Sequence, residues 1–287
     1  RGYLSSANQH ITDEDYPYFL SPFFWLSYRG TQINERLHTM TKTTANEMMD
    51  LQFDNTNRKA MNVLPVLLSL LQDELLSTDE KSWKNKLKKW DYQHSKTSIS
   101  ASFFDSWSEQ LEIETWADEF GNGEHQYLWP YFNQLDEMIR FQPNSPWFDN
   151  KTTNEKETLL DICKKSFSST VKSFSTIDSN AQQWQFFQGT DISHIAKIPG
   201  FGRMDLPTSG GKDIINATRR TEGPSWRLVI EMDDKLEPFG IYPGGQSGYP
   251  GSYYYDNFVD DWVNEKFYSL PFSNSVDKIE GHRIQCK

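Results

Sequence analysis

The sequence is poor in cysteine, in long apolar runs and in basic charge, and each shortage excludes a class of protein. Two cysteines in 287 residues are too few for a disulfide framework, and the sequence leaves open whether Cys163 and Cys286 pair. The longest apolar stretch, residues 63–71, is shorter than the roughly 20 residues that cross a bilayer. We therefore expect no membrane span. A net charge of −11 argues against a nucleic-acid partner, because phosphate binding needs a basic face.

The sequence also lacks clustered metal-ligating residues, and its start lacks an initiator methionine and a signal peptide. The six histidines are scattered and neither cysteine lies in a Cys-x-x-Cys motif, so we expect no metal site. The chain opens on Arg1-Gly2-Tyr3, without an initiator methionine or a signal peptide, which we interpret as the interior of a longer polypeptide. Aromatic residues, by contrast, make up 15% of the chain, which indicates a real hydrophobic core or a ring-lined pocket.

Apolar periodicity divides the chain into regions of different character. Residues 22–37 begin with aromatic residues and continue as a helix-like segment that carries Arg29, Ile33, Arg36 and Leu37. Helical spacing also predicts helices at residues 44–54, 59–76, 81–90, 100–120, 127–141 and 155–174. Strand-like runs occur at residues 2–6, 213–217, 226–232 and 239–242, the last three between Gly- and Pro-rich turns. We predict an α+β chain forming one continuous body: a first segment (1–37), a mainly helical middle (38–180) and a last third rich in strands and loops (181–287).

Four stretches of this sequence together carry a specific pattern. They are Gly2-Tyr3-Leu4-Ser5-Ser6-Ala7-Asn8-Gln9 with Asp15-Tyr16-Pro17; Arg29-Gly30-Thr31-Gln32-Ile33-Asn34-Glu35-Arg36-Leu37; Asp191-Ile192-Ser193-His194 through Pro199-Gly200-Phe201, Gly210-Gly211 and Ile215-Asn216-Ala217; and Gly223-Pro224-Ser225-Trp226-Arg227 with Tyr242-Pro243-Gly244-Gly245-Gln246-Ser247-Gly248, continuing to Trp262. In this order and spacing they resemble the penicillin acylase family of N-terminal nucleophile hydrolases, almost from end to end.

The resemblance implies a four-layer αββα hydrolase that is made as one precursor and cuts itself. Cleavage in that family frees a Ser at the start of the β-subunit, and the α-amino group of that Ser serves as its base. This chain resembles the C-terminal half of the β-subunit and begins with Arg1. We therefore expect the nucleophile to lie on a segment outside this chain, with the rest of the β-subunit and an α-subunit as partners.

Asn8 is the first candidate site residue. The resemblance implies that its side-chain amide forms part of an oxyanion hole, where a neutral donor stabilises the negative charge of the transition state. The residue type alone favours a plainer interpretation, an Asn that forms a turn in the loop before Tyr16.

Arg29 is the second candidate. The resemblance places it close to the nucleophile, where its guanidinium could hold the Asn8 carbonyl oxygen and so orient the amide nitrogen. For an arbitrary Arg at the start of a helix, an exposed surface position is the more common case.

The remaining candidates favour structural roles. Gln246 and Ser247 lie in a Gly-rich segment that either packs near the active site or forms a corner, and we favour the corner slightly. Arg227 is predicted to lie on a strand and form an ion pair. Ser193 and His194 are adjacent and would point to opposite faces of a strand, so they do not predict a Ser–His pair.

Cofactors are not expected. Some members of the family bind Ca²⁺ near the Asp13–Asp15 cluster, but the resemblance aligns the position of a family ligand with Leu20, whose side chain cannot coordinate a metal. A calcium site is therefore doubtful in this chain.

We predict part of an amidohydrolase that cleaves a linear N-acyl amide, in a periplasmic or secreted protein as the resemblance implies. Substrates known in such families include β-lactam side chains and acyl-homoserine lactones, and the sequence does not choose between them. The main alternative is a catalytically inactive binding or structural protein with the acylase fold. A Ser–His hydrolase is disfavoured, because Gly245-Gln246-Ser247-Gly248 does not have the Gly-x-Ser-x-Gly spacing.

Overall fold

The structure is a computed structural model and describes residues 2–13, 15–21, 24, 26–121, 129–273, 275 and 277. These residues form a mixed α+β protein, as the sequence predicts, while the four-layer arrangement stays a prediction. The helices are α1 (Tyr28–Thr39), α2 (Ala45–Gln52), α3 (Arg58–Leu70), α4 (Thr78–Lys88), α5 (Ile99–Phe120), α6 (Phe132–Phe141), α7 (Leu159–Phe174), α8 (Trp184–Phe187) and α9 (Val259–Val263). The strands are β1 (Thr190–Ile192), β2 (Arg203–Leu206), β3 (Arg227–Glu231), β4 (Glu237–Ile241) and β5 (Tyr268–Ser269).

Helices in the middle of the chain begin where the sequence carries capping signals. Thr44 accepts a hydrogen bond from the Glu47 amide, and the Glu47 carboxylate accepts one from the Thr44 amide, which forms a capping box for α2. Ser77 and Glu80 form the same box for α4. Pro65 lies within α3 on its exposed side, where water can reach the carbonyl group that the proline leaves unpaired.

The main hydrophobic core surrounds α5, which packs against α7. The Ser98 side chain caps the first turn of α5 by accepting a hydrogen bond from the Ala101 amide. Trp107 is fully buried, and its indole nitrogen donates to the Ser166 hydroxyl of α7 at 3.0 Å. Small polar residues on other sides of α5 are buried as well: Ser102, Ser108 and Thr115. α5 is thus a central helix, buried more widely than the single apolar face that its sequence predicts.

The last third of the chain contains two small antiparallel sheets. Thr190 of β1 pairs with Leu206 of β2. In the second sheet, β4 lies between β3 and β5, with Gly240 opposite both Leu228 and Tyr268. A second, smaller core lies under these strands: Leu206, Ile241, Val259, Trp262 and Val263.

Two predicted strands are wrong. Residues 2–6 show the alternating burial of a strand but pair with no other strand of the described part of the chain. Residues 213–217 form turns, because the chain folds back so that the Gly211 amide donates to the Asn216 carbonyl at 3.0 Å. Gly210 has φ 86°, in the left-handed region that suits glycine.

Two expectations about the chain as a whole concern the membrane and the cysteines. Among the described residues, no helix is both long and apolar enough to cross a membrane. Cys163 is buried in α7 and donates a weak hydrogen bond to the Leu67 carbonyl at 3.6 Å. Cys286 lies outside the described residues, so the question of a disulfide stays open.

Candidate active site

The N-terminal segment lies alongside α1. Its odd-numbered residues are the less exposed ones, while Leu4 is fully exposed. The Tyr3 hydroxyl donates to the Asn34 carbonyl at 3.2 Å, and the Ser5 hydroxyl donates to the Asn34 side-chain oxygen at 3.0 Å. The segment therefore runs antiparallel to α1 and brings residues 7–9 to the first turn of that helix.

Gly30 allows the close approach of the segment to α1. A Cβ atom at this position would lie 2.7 Å from Cδ of Gln9, well inside van der Waals contact. Gln9 in turn accepts a hydrogen bond from the Ala7 amide at 2.6 Å, which tightens the chain around Asn8. Asn8 adopts φ 67°, a left-handed conformation that Asn tolerates better than most residues.

Arg29 binds Asn8 directly. Its Nη2 donates to Asn8 Oδ1 at 2.7 Å and to the Ala7 carbonyl at 3.3 Å. Because Arg only donates hydrogen bonds, this contact fixes the carbonyl oxygen of the Asn8 amide toward Arg29. Asn8 is exposed, and Nδ2 donates to no other described residue. The geometry therefore leaves one oriented amide donor free for a ligand, and the catalytic roles of both residues remain a prediction.

The neighbour of Arg29 anchors α1 to the helical core. Tyr28 is buried, and its hydroxyl donates to Asp136 Oδ2 of α6 at 2.7 Å. Asn62 of α3 donates to the same oxygen at 2.9 Å, and Arg140 binds the other carboxylate oxygen. Burial and the bond to Asp136 raise the pKa of Tyr28 well above its usual range. The first turn of α1, and with it Arg29, is thereby tied to α3 and α6.

A second buried carboxylate anchors the middle of α1. Asp54 follows α2, and its side chain is 2% exposed. Its Oδ2 accepts a hydrogen bond from the Gln32 amide at 3.2 Å and forms an ion pair with the Arg36 guanidinium at 3.2 Å. Its other oxygen accepts from the Thr56 amide at 2.8 Å. Residues of α1 therefore bind buried carboxylates on two sides.

Arg29 breaks the usual charge pattern of a helix. The first turn of α1 has no acidic residue, while the last turn carries Arg36 and His38 as the helix dipole favours. A cation at the N-terminal end opposes that dipole and costs a few tenths of a kcal/mol at an exposed site. Such a departure from local preference is typical of a residue placed for function.

A cavity of about 410 Å³ opens beside Arg29. It is lined by Arg29, Gln52, Ile215, Ala217, Arg219, Glu222, Gly223, Pro224, Trp226 and Arg227. Three of these side chains are arginines, although the chain as a whole is acidic. Residues from three of the four stretches that carry the family pattern line this cavity. The hydrogen bond from Arg29 to Asn8 connects the remaining stretch, the N-terminal one, to the cavity.

Arg227 lies on β3 as predicted, but it forms no ion pair within the part of the chain that the structure describes, so that prediction is wrong. The side chain is 4% exposed and donates to the Gln52 carbonyl at 2.7 Å and to the Asn216 side-chain oxygen at 2.6 Å. Its guanidinium also lies over the Phe53 ring, 4.5 Å from the centroid. Neutral oxygens replace a carboxylate here, and burial lowers the pKa of Arg227 to about 10.

Gln246 and Ser247 do not line the cavity beside Arg29. The Gln246 amide donates to the Tyr242 hydroxyl at 2.7 Å, and the Ser247 hydroxyl accepts from the Tyr249 amide at 3.1 Å. Ser247 also donates its backbone amide to the Tyr254 carbonyl at 2.9 Å. These local contacts favour the structural corner.

His194 and Ser193 follow β1 and line a larger cavity of about 1010 Å³. His194 Nδ1 accepts from the Ala196 amide at 3.2 Å, and its ring packs edge-on against Phe201. The described hydrogen bonds include none between the Ser193 and His194 side chains, so this pair lacks nucleophile–base geometry.

Metal-ligating groups are not clustered in the part of the chain that the structure describes. Leu20, the residue that weakens the case for calcium, is exposed. Glu14 of the nearby acidic cluster lies outside the described residues. The expectation of no metal stays a prediction from the sequence.

Sequence reasoning missed the polar residues that line the cavity (Gln52, Arg219 and Glu222) and two that bind the elements beside it (Asp54 and Asn216). Asn216 was part of a quoted motif without a role, and the structure gives it one as the acceptor for Arg227. The sequence does carry one signal for this role, because Asn216 stands between the apolar residues Ile215 and Ala217. If such a segment is buried, its side-chain amide needs hydrogen-bond partners, as Asn216 finds in Arg227.

Comparison with known proteins agrees with the pattern of motifs. Residues 1–277 match the penicillin amidase family. The chain belongs to this family.

Its relatives include acyl-homoserine lactone acylases named QuiP. That of Pseudomonas syringae pv. syringae is 25% identical over 309 residues, which cover 94% of this chain and 37% of the relative. The Pseudomonas aeruginosa protein is 20% identical over 344 residues, covering 99% of this chain and 39% of the relative. The Pseudomonas fluorescens Pf-5 protein is 24% identical, with coverages of 94% and 37%. The chain thus spans less than two-fifths of the length of these relatives.

Proposed function

We propose that the chain is part of an amidohydrolase that cleaves a linear N-acyl amide, and that Asn8 Nδ2 is a donor of its oxyanion hole. The observation that supports this most is the 2.7 Å hydrogen bond from Arg29 to Asn8 Oδ1, which leaves Nδ2 oriented and unused by the described residues. A preorganised neutral donor stabilises an oxyanion without having to reorganise during the reaction.

The proposed reaction begins with a Ser at the start of a polypeptide segment outside these residues. Its hydroxyl oxygen attacks the amide carbon while its α-amino group takes the hydroxyl proton. The carbonyl oxygen becomes an oxyanion that accepts a hydrogen bond from Asn8 Nδ2. The C–N bond then breaks, the amine leaves with the proton, and water hydrolyses the acyl ester to release the acid. Arg29 acts through Asn8, as a positioning residue.

The proposed partners are the Ser-bearing segment and an α-subunit from the same precursor. The relatives are named for acyl-homoserine lactones, and this chain supports the broader substrate class of N-acyl amides. The cavity beside Arg29, with its three arginines, suits a polar group on one side of the scissile bond. We also propose that the protein acts in the periplasm or outside the cell.

Asn8→Ala tests the oxyanion role in the native protein that carries the Ser-bearing segment. Turnover of an N-acyl-homoserine lactone or a phenylacetyl amide should fall about 10²–10³-fold in kcat, because one donor is lost. KM should change little, and the melting temperature should fall modestly, because Asn8 is exposed but Ala tolerates φ 67° less well than Asn. Ser6→Ala is the matched control, because Ser6 lies on the same exposed side of the same segment.

The double variant Asn8→Ala/Arg29→Ala tests how the two residues are coupled. If Arg29 acts only by orienting Asn8, the double variant loses no more activity than Asn8→Ala alone. Additive losses would show a separate role for Arg29. Full activity of Asn8→Ala would contradict the assignment of Asn8.

Mass spectrometry and N-terminal sequencing of the native preparation separate the enzyme from the alternative. A companion chain that begins with Ser supports the amidohydrolase. Its absence, together with no amide turnover, would favour the inactive acylase-fold protein with a binding or structural role.

A further inference from the structure

A further pocket lies in the helical body, between the end of α5, helix α6 and the loop that follows α6. Its volume is about 450 Å³, within the range of roughly 300–1,000 Å³ that is typical of small-molecule sites. It shares no described lining residue with the cavity beside Arg29. We call it the α5–α6 pocket, and its walls include Trp116, Phe120, Gln134, Glu137, Met138 and Trp147.

Three aromatic side chains of the α5–α6 pocket contact one another. The rings of Phe120 and Trp147 stack nearly parallel with their centroids 5.9 Å apart. The Trp116 ring packs edge-on against both, at 6.2 Å from Phe120 and 5.9 Å from Trp147. Trp147 comes from the short 3₁₀ helix Pro146–Phe148, which buried Phe148 anchors in the core. The faces of such rings, and of Trp above all, attract cations.

The charge of the α5–α6 pocket has one sign. Glu137 is the one charged side chain among the described residues that line the pocket. Its carboxylate forms no hydrogen bond or ion pair with any residue that the structure describes. Its basic neighbour Arg140 is already paired with Asp136. An unpaired anion beside aromatic rings is complementary to a positively charged ligand.

Trp116 provides an independent indication of a ligand. Its side chain is 2% exposed, and its indole N–H has no hydrogen-bond partner in the described part of the chain. Other buried indoles of the protein are satisfied: Trp107 donates to the Ser166 hydroxyl at 3.0 Å and Trp184 to the Gly210 carbonyl at 2.7 Å. Buried polar groups are normally hydrogen-bonded, so the unpaired donor in this wall calls for an acceptor.

We propose that the α5–α6 pocket binds a small organic cation, a quaternary ammonium or a protonated amine, that also carries a hydrogen-bond acceptor. The cation lies against the rings of Phe120 and Trp147, and the Glu137 carboxylate balances its charge. The acceptor atom receives the indole hydrogen of Trp116. The thioether of Met138 adds a polarizable contact for the methyl or methylene groups of the ligand.

Isothermal titration calorimetry of the native protein with choline chloride tests this proposal. Choline carries a quaternary ammonium and a hydroxyl acceptor, and we expect a Kd of about 1 mM or tighter. 3,3-Dimethylbutan-1-ol has the same shape without the charge and should bind about tenfold more weakly. Tetramethylammonium keeps the charge but offers no acceptor to Trp116, and should bind about threefold more weakly. No binding of choline, or an equal affinity for either other compound, overturns the proposal.

Variants locate the binding in the α5–α6 pocket. Glu137→Gln removes the charge and keeps the shape, and should weaken choline binding about fivefold. Glu74→Gln is the matched control, because Glu74 is an exposed glutamate of the 3₁₀ helix Asp73–Leu75, does not line the pocket, and should leave the affinity unchanged. Equal losses in the two variants, or full binding by Glu137→Gln, would show that choline binds elsewhere and would overturn the proposal.

Trp147→Ala should abolish choline binding, while Trp147→Phe should retain most of it, because the second variant keeps an aromatic face. Circular dichroism checks that both variants are folded, which is expected because Trp147 is 42% exposed. Unchanged affinity in folded Trp147→Ala would overturn the proposal.

Sedimentation with phosphatidylcholine vesicles distinguishes two sources of such a cation. Co-sedimentation that choline displaces would assign the cation to a lipid headgroup, and choline binding without sedimentation would assign it to a free solute; both results support the site. The proposal does not depend on the proposed function. Asn8→Ala should remove amide turnover and leave choline binding intact, so the two proposals fail separately.

Discussion

The helical body (α3–α7) and the C-terminal third (β1–β5 with α9) are stabilised in different ways. The helical body contains one large aromatic core, in which Trp83 stacks on Phe103 at 4.2 Å and Trp107 is fully buried. The core of the C-terminal third contains five buried apolar residues, and much of its apolar surface is exposed. The helical body therefore buries a larger apolar core than the C-terminal third does.

Polar contacts hold much of the C-terminal third. Arg203 pairs with Asp256 and Asp260, and Arg220 pairs with Asp191 and Asp205. Apart from the largely buried Asp191, these groups are substantially exposed, and exposed pairs contribute about 0–1 kcal/mol each. The comparison indicates that the region beside the candidate site is the less stable one, as expected for a region with the smaller buried core.

The largest effect should come from the core of the helical body. Trp107→Ala removes a fully buried indole and should lower the free energy of unfolding by about 3–5 kcal/mol, measured by urea denaturation. Trp262→Ala, in the smaller core, provides the comparison. Hydrogen exchange should show Trp262→Ala opening the C-terminal third alone, while Trp107→Ala destabilises both regions. Equal opening of both regions by Trp262→Ala would contradict the difference between them.

The next largest effect should come from Asp136, which links α1 to the helical body. Asp136→Ala leaves the Tyr28 hydroxyl without its acceptor, together with Asn62 and Arg140, and should cost about 3 kcal/mol of unfolding free energy. Hydrogen exchange should rise most in α1. Asp136→Asn is the control, because it keeps an acceptor oxygen for Tyr28 and should cost less. An unchanged exchange rate in α1 would show that Tyr28 does not anchor it.

The same comparison explains what the sequence could predict. Helices of the helical body follow from apolar periodicity and from capping residues such as Thr44 and Ser77, both of which are local signals. The strands β1, β2 and β5 have two to four residues each and were missed, because such short runs carry little periodicity. Residues 213–217 were wrongly predicted as a strand, since their apolar character serves a turn on which Asn216 meets Arg227.

The candidate site was predictable only through the four motifs together. Nothing in the spacing of Asn8 and Arg29 alone predicts a contact across 21 positions; the antiparallel path of the first segment along α1 creates it. The carboxylates that anchor α1 were not predictable, because Asp54 and Asp136 come from distant parts of the sequence and their burial depends on tertiary packing.

A smaller effect should depend on pH at the boundary between the two regions. His94 is 1% exposed, its carbonyl accepts from the Gly210 amide at 2.9 Å, and its ring packs edge-on against Trp184. Its Nε2 lies 2.8 Å from the Asn57 amide nitrogen, so Nε2 is the acceptor and the ring is neutral. Burial, with a contribution from Lys59, lowers the pKa of His94 to about 3.

The sign follows from proton linkage. The pKa of His94 is lower in the folded than in the unfolded chain, so its contribution to stability is complete above the unfolded pKa of about 6.5. As the pH falls below that value, the unfolded state takes up a proton that the folded state excludes. The folding equilibrium constant should then fall by about tenfold per pH unit on account of this group. Urea denaturation should show this slope in the wild type, and His94→Gln should reduce it by one proton. An unchanged slope in the variant would contradict a neutral buried His94.

The smallest effect compares the same local structure in the two settings. Thr44 and Ser77 each complete a capping box, but α2 packs against β3 of the C-terminal third while α4 belongs to the helical body. Thr44→Ala and Ser77→Ala each remove a cap worth about 1 kcal/mol. If the helical body unfolds as a unit, Ser77→Ala should lower its global free energy of unfolding by that amount. Thr44→Ala should instead raise exchange locally in α2 and β3, by about fivefold, with little change in the helical body.

The control variants Thr44→Ser and Ser77→Thr keep the capping oxygen and should change neither measurement. Should both Ala variants act globally and equally, the two regions would form one cooperative unit, and the lower stability inferred for the C-terminal third would be wrong.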